Sequence, residues 1–396
     1  MEVDQSASFF RLAFGSVCVE TSFIATFVFV VLRTPPQATN KRIAGLVVLG
    51  AATHTMERLI VQACMSNGRP QWAAILVSLL WVQLLNASDL ILVLRVHAIQ
   101  ISQPRGQRPG ALGGVRSAAG ILFNSRRVGT PWQVRNTPST AGLESQRRTT
   151  FLLGRIAMTI PAYIFVDIMT SLPPPDPAFL RADKAALFPV DSLGVEDIIF
   201  RLATTISYWV ITGICLMVMN NTGAIIGVLL GLCRPVDCPP PFGSFLEAYT
   251  IRRFWGISWH QMLRSFLTGH ADLLVSKTLP FLPRNSAAHR HSRLVAAFLI
   301  SGLIHWRADQ AQGVPNAENG ALVFFSLHAA CIVLEDHLGP VFVKLLPRRV
   351  RHILGYFWVL AFFAWSAPVY MYPSMRLGSD GTAMLPARII GPFIRA

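Results

Sequence analysis

The sequence predicts an all-α fold, a polytopic bundle of membrane helices, and three observations point there. Apolar residues make up 52% of the 396-residue chain and charged ones only 14%, against roughly 25% charged in an average soluble domain. Apolar stretches of about 17–25 residues, enough to cross a hydrocarbon core, recur along the chain. Arginines crowd into alternate connections, as the positive-inside rule requires of a multi-pass protein. A soluble chain of this length would split into about two or three domains. No linker marks such a split, so a single membrane-embedded domain over residues 1–396 is expected.

About eight spans account for the apolar pattern. The first, residues 12–32, follows Glu2 and Asp4 rather than a basic segment and reads as a permanent anchor, not a signal peptide. The second, 43–65, carries His54, Glu57 and Arg58 at i, i+3 and i+4, a spacing that predicts an intramembrane ion pair beside a satisfied histidine. Asp89 lies in the third, 71–94, and Asp167 in the fourth, 151–170, each without an evident partner. The fifth, 198–219, has an apolar tail to 232. Segment 254–282 is less apolar and reads as interfacial or re-entrant. A shorter stretch, 293–306, carries His305, and the last two are 320–346 and 353–374.

Charge sets the orientation. Connection 95–150 holds Arg95, Arg105, Arg108, Arg116, Arg126, Arg127, Arg135, Arg147 and Arg148 against Glu144 alone, and is expected in the cytosol. Connection 171–197, with Asp176, Asp183, Asp191, Glu196 and Asp197, is expected in the lumen. Residues 103–149 are rich in Gly, Ser, Thr, Pro and Arg, and are expected to be disordered. The net charge of +15 fits cytosolic loops near anionic lipid. The arginines are dispersed, and no nucleic-acid recognition module is visible, so nucleic acid is not expected as a partner. The six cysteines are scattered, which excludes a disulfide framework and gives no metal site. The sequons at Asn86 and Asn221 fall within or beside apolar spans and are expected to stay unmodified.

Two histidines, each beside a tryptophan, stand out against this background. They sit in Phe254-Trp255-Gly256-Ile257-Ser258-Trp259-His260-Gln261 and in Ile300-Ser301-Gly302-Leu303-Ile304-His305-Trp306. An ionisable side chain near bilayer depth is a functional-site hypothesis by default. Helical spacing would put Trp255 and Trp259 on one face and His260 and Arg264 on another. His305 ends an apolar run from Leu294, and burial favours a neutral ring able to accept a proton. The bland alternative is an interfacial histidine without chemistry. Downstream, His328 and Glu335 are seven apart and would form a polar pair on one helical face.

The pair of motifs resembles the signature of the membrane-bound O-acyltransferases, over about residues 245–375 as the catalytic region. The branch it is most similar to is the wax-synthase-like one, which includes fungal acetyltransferases of terpenoid and meroterpenoid pathways. The resemblance implies an internal tunnel and transfer of an acyl group, most simply acetyl from acetyl-CoA, to a hydroxyl, with His305 as general base. It implies a second role for His260, a hydrogen bond to the developing oxyanion or shaping of the pocket; many relatives have asparagine at that place. Trp255 and Trp259, with Arg252, Arg253, Arg264 and Arg290 at a basic mouth, are the expected donor-binding residues. Acyl-CoA is then a co-substrate, with no resident cofactor and no obligate protein partner. The expected location is a multi-pass membrane position in the endoplasmic reticulum. Two alternatives share these features: a long-chain wax-ester or sterol-ester synthase, and a transporter, against which the lack of internal repeats speaks.

Overall fold

A computed structural model describes residues 2–101, 111–188 and 193–394. Arg105, Arg108 and Asp191 therefore lie outside the described residues. The longer helices are α1 (Glu2–Arg33), α2 (Thr39–Ser66), α3 (Pro70–Ser88), α4 (Ala111–Phe123), α5 (Arg148–Ser171) and α6 (Val195–Leu229). They continue with α7 (Arg264–Thr278), α8 (Ala287–Gln312), α9 (Ala321–Leu345), α10 (Arg348–Ser366) and α11 (Pro368–Arg376). Among the described residues there is no strand.

Six of these segments are long and apolar enough to cross a membrane, or seven if α10 and α11, which meet at a 45° bend, make one span. The protein is a polytopic membrane protein. The count differs from the eight expected, because the stretch 293–306 is carried on α8, whose ends hold His289, Arg290, His291, Arg293, Arg307 and Asp309.

The chain forms two compact units, one of residues 1–127 with 263–313, the other of 128–262 with 314–396. In the first, α1 packs on α2, α2 on α3, α3 on α8 and α8 on α7. A fully buried arginine joins its chain turns. Arg42 donates to the carbonyls of Thr34 (2.8 Å), Pro35 (3.1 Å), Ile91 (2.8 Å) and Val96 (2.9 Å). Carbonyls at helix C-terminal ends lack intrahelical donors, and the π-helical turn Asp89–Val93 that extends α3 leaves Ile91 in that position. Asp89 has a partner the sequence did not reveal: Arg127 Nη2 lies 2.5 Å from its Oδ2, and both residues are buried. The expected pairing within α2 is corrected. His54 and Arg58 are exposed, and Glu57 turns inward to Arg307 of α8 (2.5 Å) and Trp81 Nε1 of α3 (3.1 Å). Spacing on one helix could not show a partner supplied by another.

In the second unit α5 packs on α6 and α10 on α6 and α9. Asp167 of α5 accepts the backbone N–H groups of Ile389 (2.8 Å), Ile390 (2.7 Å) and Gly391 (3.1 Å), so its charge holds a returning segment. Asn86, in the first unit, and Asn221, in the second, are buried, with their side chains engaged by Leu122 O and Arg155 respectively.

The disorder expected over 103–149 is corrected in its described part. Residues 111–123 form α4, and 128–147 run as successive turns. In this run Gly129 N donates to Gln133 Oε1, Gln133 N to Thr130 O and Thr137 Oγ1 to Val134 O. Val134 is buried, and Leu143 packs against Phe151, Ala224 and Val228. A few apolar anchors in a polar segment are enough to fix it when backbone and side-chain hydrogen bonds close its turns.

Candidate active site

The Phe254–Gln261 motif lies wholly in the second unit and is not one continuous helix. Thr250 caps a short helix, Ile251–Arg253, by accepting from Arg253 N at 3.0 Å. Glu335 of α9 accepts the N–H groups of Ile251 (2.7 Å) and Arg252 (2.9 Å), a carboxylate at a helix N-terminus. The chain then widens into a π-helical turn, Phe254–Ser258, closed by Trp259 N donating to Phe254 O at 2.7 Å. Such turns are rare and gather at functional sites. Trp259 is extended, with ψ 155°, and ends it. The helical-face argument for Trp255/Trp259 and His260/Arg264 is therefore corrected, since the backbone between each pair is not α-helical.

Several carbonyls of the turn, and that of Trp259 after it, accept from side chains or from other segments. Gln261 Nε2 donates to Trp255 O (3.0 Å) and Trp259 O (2.6 Å). Gly243 N donates to Ser258 O at 3.1 Å, and Asn136 Nδ2 to Gly256 O at 2.8 Å. Gly243 must be glycine here, because a Cβ would sit 2.3 Å from Ile257 O.

Around the turn stands a cage of rings. Trp209 of α6 has its centroid 5.0 Å from Trp259 and Phe363, 5.8 Å from Trp255 and 6.1 Å from Phe324. Trp255 Nε1 donates to His328 Nδ1 at 2.8 Å. His328 Nε2 lies 3.3 Å from Ser366 Oγ, which itself donates to Phe362 O at 2.7 Å. The chain of donors has one direction: His328 accepts at Nδ1 and donates at Nε2, a neutral ring with both nitrogens used. The expected His328–Glu335 pair does not form. Glu335 instead caps the motif's first turn and accepts from Trp358 Nε1 at 2.9 Å. His260 follows the turn, its ring 5.5 Å from that of Trp259 and 6.4 Å from that of Phe242. Arg252 forms an ion pair with Asp336, and Arg253 one with Glu247 while its guanidinium lies 4.6 Å over the Tyr249 ring.

His305, Arg264 and Arg290 lie in the first unit. Arg264 opens α7, and Arg290, in the first turn of α8, donates to Asn285 O at 2.9 Å. His305 sits on regular helix, its Nδ1 2.8 Å from Ser301 O one turn back. A carbonyl oxygen only accepts, so this contact puts the ring proton on Nδ1 and the lone pair of the neutral ring on Nε2. That is the tautomer a general base needs. Gly302 is buried beside it, and Arg307, held by Glu57, fixes the same helix one half-turn on. A groove of about 630 Å³ runs along the neighbouring face of α8, lined by Trp81, Leu273, Ile300, Leu303 and Ile304, with His270 in its wall.

Sequence reasoning reached the two tryptophan–histidine pairs and missed Trp209, Ser366, Gln261 and Asn136. Gln261 stood inside the quoted motif, and its buried amide could have been asked for a partner; the other three carry no local signal.

The chain matches the description "Membrane bound O-acyl transferase family" over residues 238–327, the stretch that contains the turn, His260 and His305. It is 32% identical over 286 residues to "Acetyltransferase ataH" of Aspergillus terreus, covering 69% of this chain and 93% of that one. The chain belongs to the membrane-bound O-acyltransferases. It is also 29% identical to "Acetyltransferase pyr8" of Aspergillus fumigatus, over 70% of this chain and 68% of that one. Its identity to "Acetyltransferase TRI7" of Fusarium sporotrichioides is likewise 29%, over 69% and 67%. No solved structure matches it. As a member of this family it is an acyl-CoA-dependent O-acyltransferase.

Proposed function

We propose that the protein transfers an acetyl group from acetyl-CoA to a hydroxyl of a terpenoid or meroterpenoid secondary metabolite in the endoplasmic reticulum membrane. His305 is the general base of this reading. Its Nε2 takes the hydroxyl proton as the oxygen attacks the thioester carbonyl; the tetrahedral intermediate collapses, expelling the thiolate of coenzyme A, which receives that proton. The observation that carries the assignment is the Nδ1 contact to Ser301 O, which leaves the basic nitrogen on the other side of the ring. His260 is assigned the hydrogen bond to the developing oxyanion, a donor worth about 3–4 kcal/mol when well placed. Trp255 and Trp259 shape the pocket, and Arg252, Arg253, Arg264 and Arg290 draw the phosphates of the donor toward the mouth. On this reading residues 1–396 make a single membrane-embedded acyltransferase domain. The names of the relatives support acetyl as the acyl group.

Microsomes containing the protein, offered acetyl-CoA or palmitoyl-CoA with a hydroxylated terpenoid, a sterol and a fatty alcohol, test the substrate. Acetylation of the terpenoid, read by mass spectrometry, is the expected result. Dominant palmitoylation of the sterol or alcohol would replace this reading with an ester synthase, and no transfer of either acyl group with a transporter.

A further inference from the structure

The π-helical turn Phe254–Ser258 presents a problem of backbone accounting. A helix that stops leaves its last carbonyls without intrahelical donors, and here it stops within the motif that carries His260. Gln261 serves Trp255 O, and Trp259 O just beyond the turn, and Gly243 serves Ser258 O, both from chain close in sequence. Gly256 O is served from 120 residues away by the side-chain amide of Asn136, an exposed residue. Asn136 stands in the left-handed region with φ 61°, a conformation that asparagine tolerates better than most residues. Residues held there cluster where the surrounding structure needs them. The surroundings are built for it, with Val134 buried two residues before and Thr137 Oγ1 closing the turn onto Val134 O at 2.8 Å.

We propose that Asn136 is a positioning residue for acyl transfer: its amide clamps Gly256 O and so holds the turn that orients Trp255 and His260. The segment 128–147, polar and Arg-bearing, is on this account part of the active-site scaffold. The inference rests on the reading of the Phe254–His260 motif as catalytic, and the experiment separates the two.

Asn136→Asp keeps size and tolerance of the left-handed backbone but removes the donor; Asn136→Gly removes the side chain and the strain together. Turnover and KM are measured with acetyl-CoA and the preferred acceptor, alongside amide hydrogen exchange over Gly256–Trp259 in the same preparations. A small misplacement of reacting groups costs up to about a hundredfold in rate. Both variants should therefore lose about ten- to a hundredfold in kcat, with KM for donor and acceptor near wild type. The turn's amides should exchange faster while amides of α5 and α6 do not. A kcat within about twofold of wild type together with unchanged exchange overturns the role of Asn136. Faster exchange with unchanged turnover leaves the clamp in place and overturns the catalytic reading of the turn. Lost turnover with unchanged exchange also overturns the clamp, since the loop would then act by another route.

Discussion

The two histidine-bearing segments are built in opposite ways. His305 sits inside a 26-residue α-helix and takes its orientation from its own backbone, the Ser301 carbonyl one turn away. His260 follows a broken turn whose atoms are held by Asn136, Gly243 and Gln261, with Glu335 at its entrance and Trp255 tied to His328. A regular helix satisfies its own polar groups, so a residue on it needs little outside help. A half-buried irregular turn among rings must borrow most of its donors, and each lender becomes part of the site. The first design is local and tolerant of change nearby; the second is distributed and exposed to damage from far along the chain.

The largest effect that would test this contrast is at His305 itself. His305→Ala should lower acyl transfer by about 10²–10⁴, the usual loss of a positioned general base, while membrane insertion and expression persist. Turnover above about a tenth of wild type would remove the residue from that role. At His260 a polar group should suffice. His260→Leu should cost about 10²–10³ in kcat if its hydrogen bond serves the oxyanion, whereas His260→Asn should keep measurable activity. Equal rates in the two variants would leave the position without a polar function.

A smaller effect is expected from Trp255→Phe, which keeps an aromatic ring but strips the donor from His328 Nδ1. A buried acceptor left unmade costs about 1–3 kcal/mol, so reversible unfolding in detergent should show a loss of that order. A melting curve unchanged by the substitution would mean the indole N–H is dispensable. The smallest effect should fall on the helix side of the comparison. Ser301→Ala removes a hydroxyl but leaves the carbonyl that orients His305, and turnover should stay within about twofold. A large loss there would show that the orientation of His305 depends on a side chain after all.

The contrast also explains what could be read before the structure. Spans, the charged connections and the two tryptophan–histidine pairs follow from composition and local spacing, and α8 with its histidine is where the apolar run ends. The helical-face argument for Trp255 and Trp259 failed because a π-helical turn leaves no mark in residue spacing. Glu57 found Arg307 rather than Arg58, and Asp89 found Arg127, because a buried charge is matched by whichever element lies across from it. Segment 128–147 looked structureless since its order comes from local turn hydrogen bonds, backbone and side-chain, and two apolar anchors, not from a period.

Arg42 bears on how the chain is made. Its four carbonyl partners come from two places, the turn just before it and the end of α3, and the nearer of the late ones, Ile91, is 49 residues downstream. An arginine withdrawn from water without partners is strongly disfavoured. While the ribosome is still adding α3, the guanidinium has Thr34 and Pro35 but neither Ile91 nor Val96. Arg42 can therefore reach its full set of partners only once the end of the third span is in place, which makes the first three helices depend on one another for the burial of a single charge.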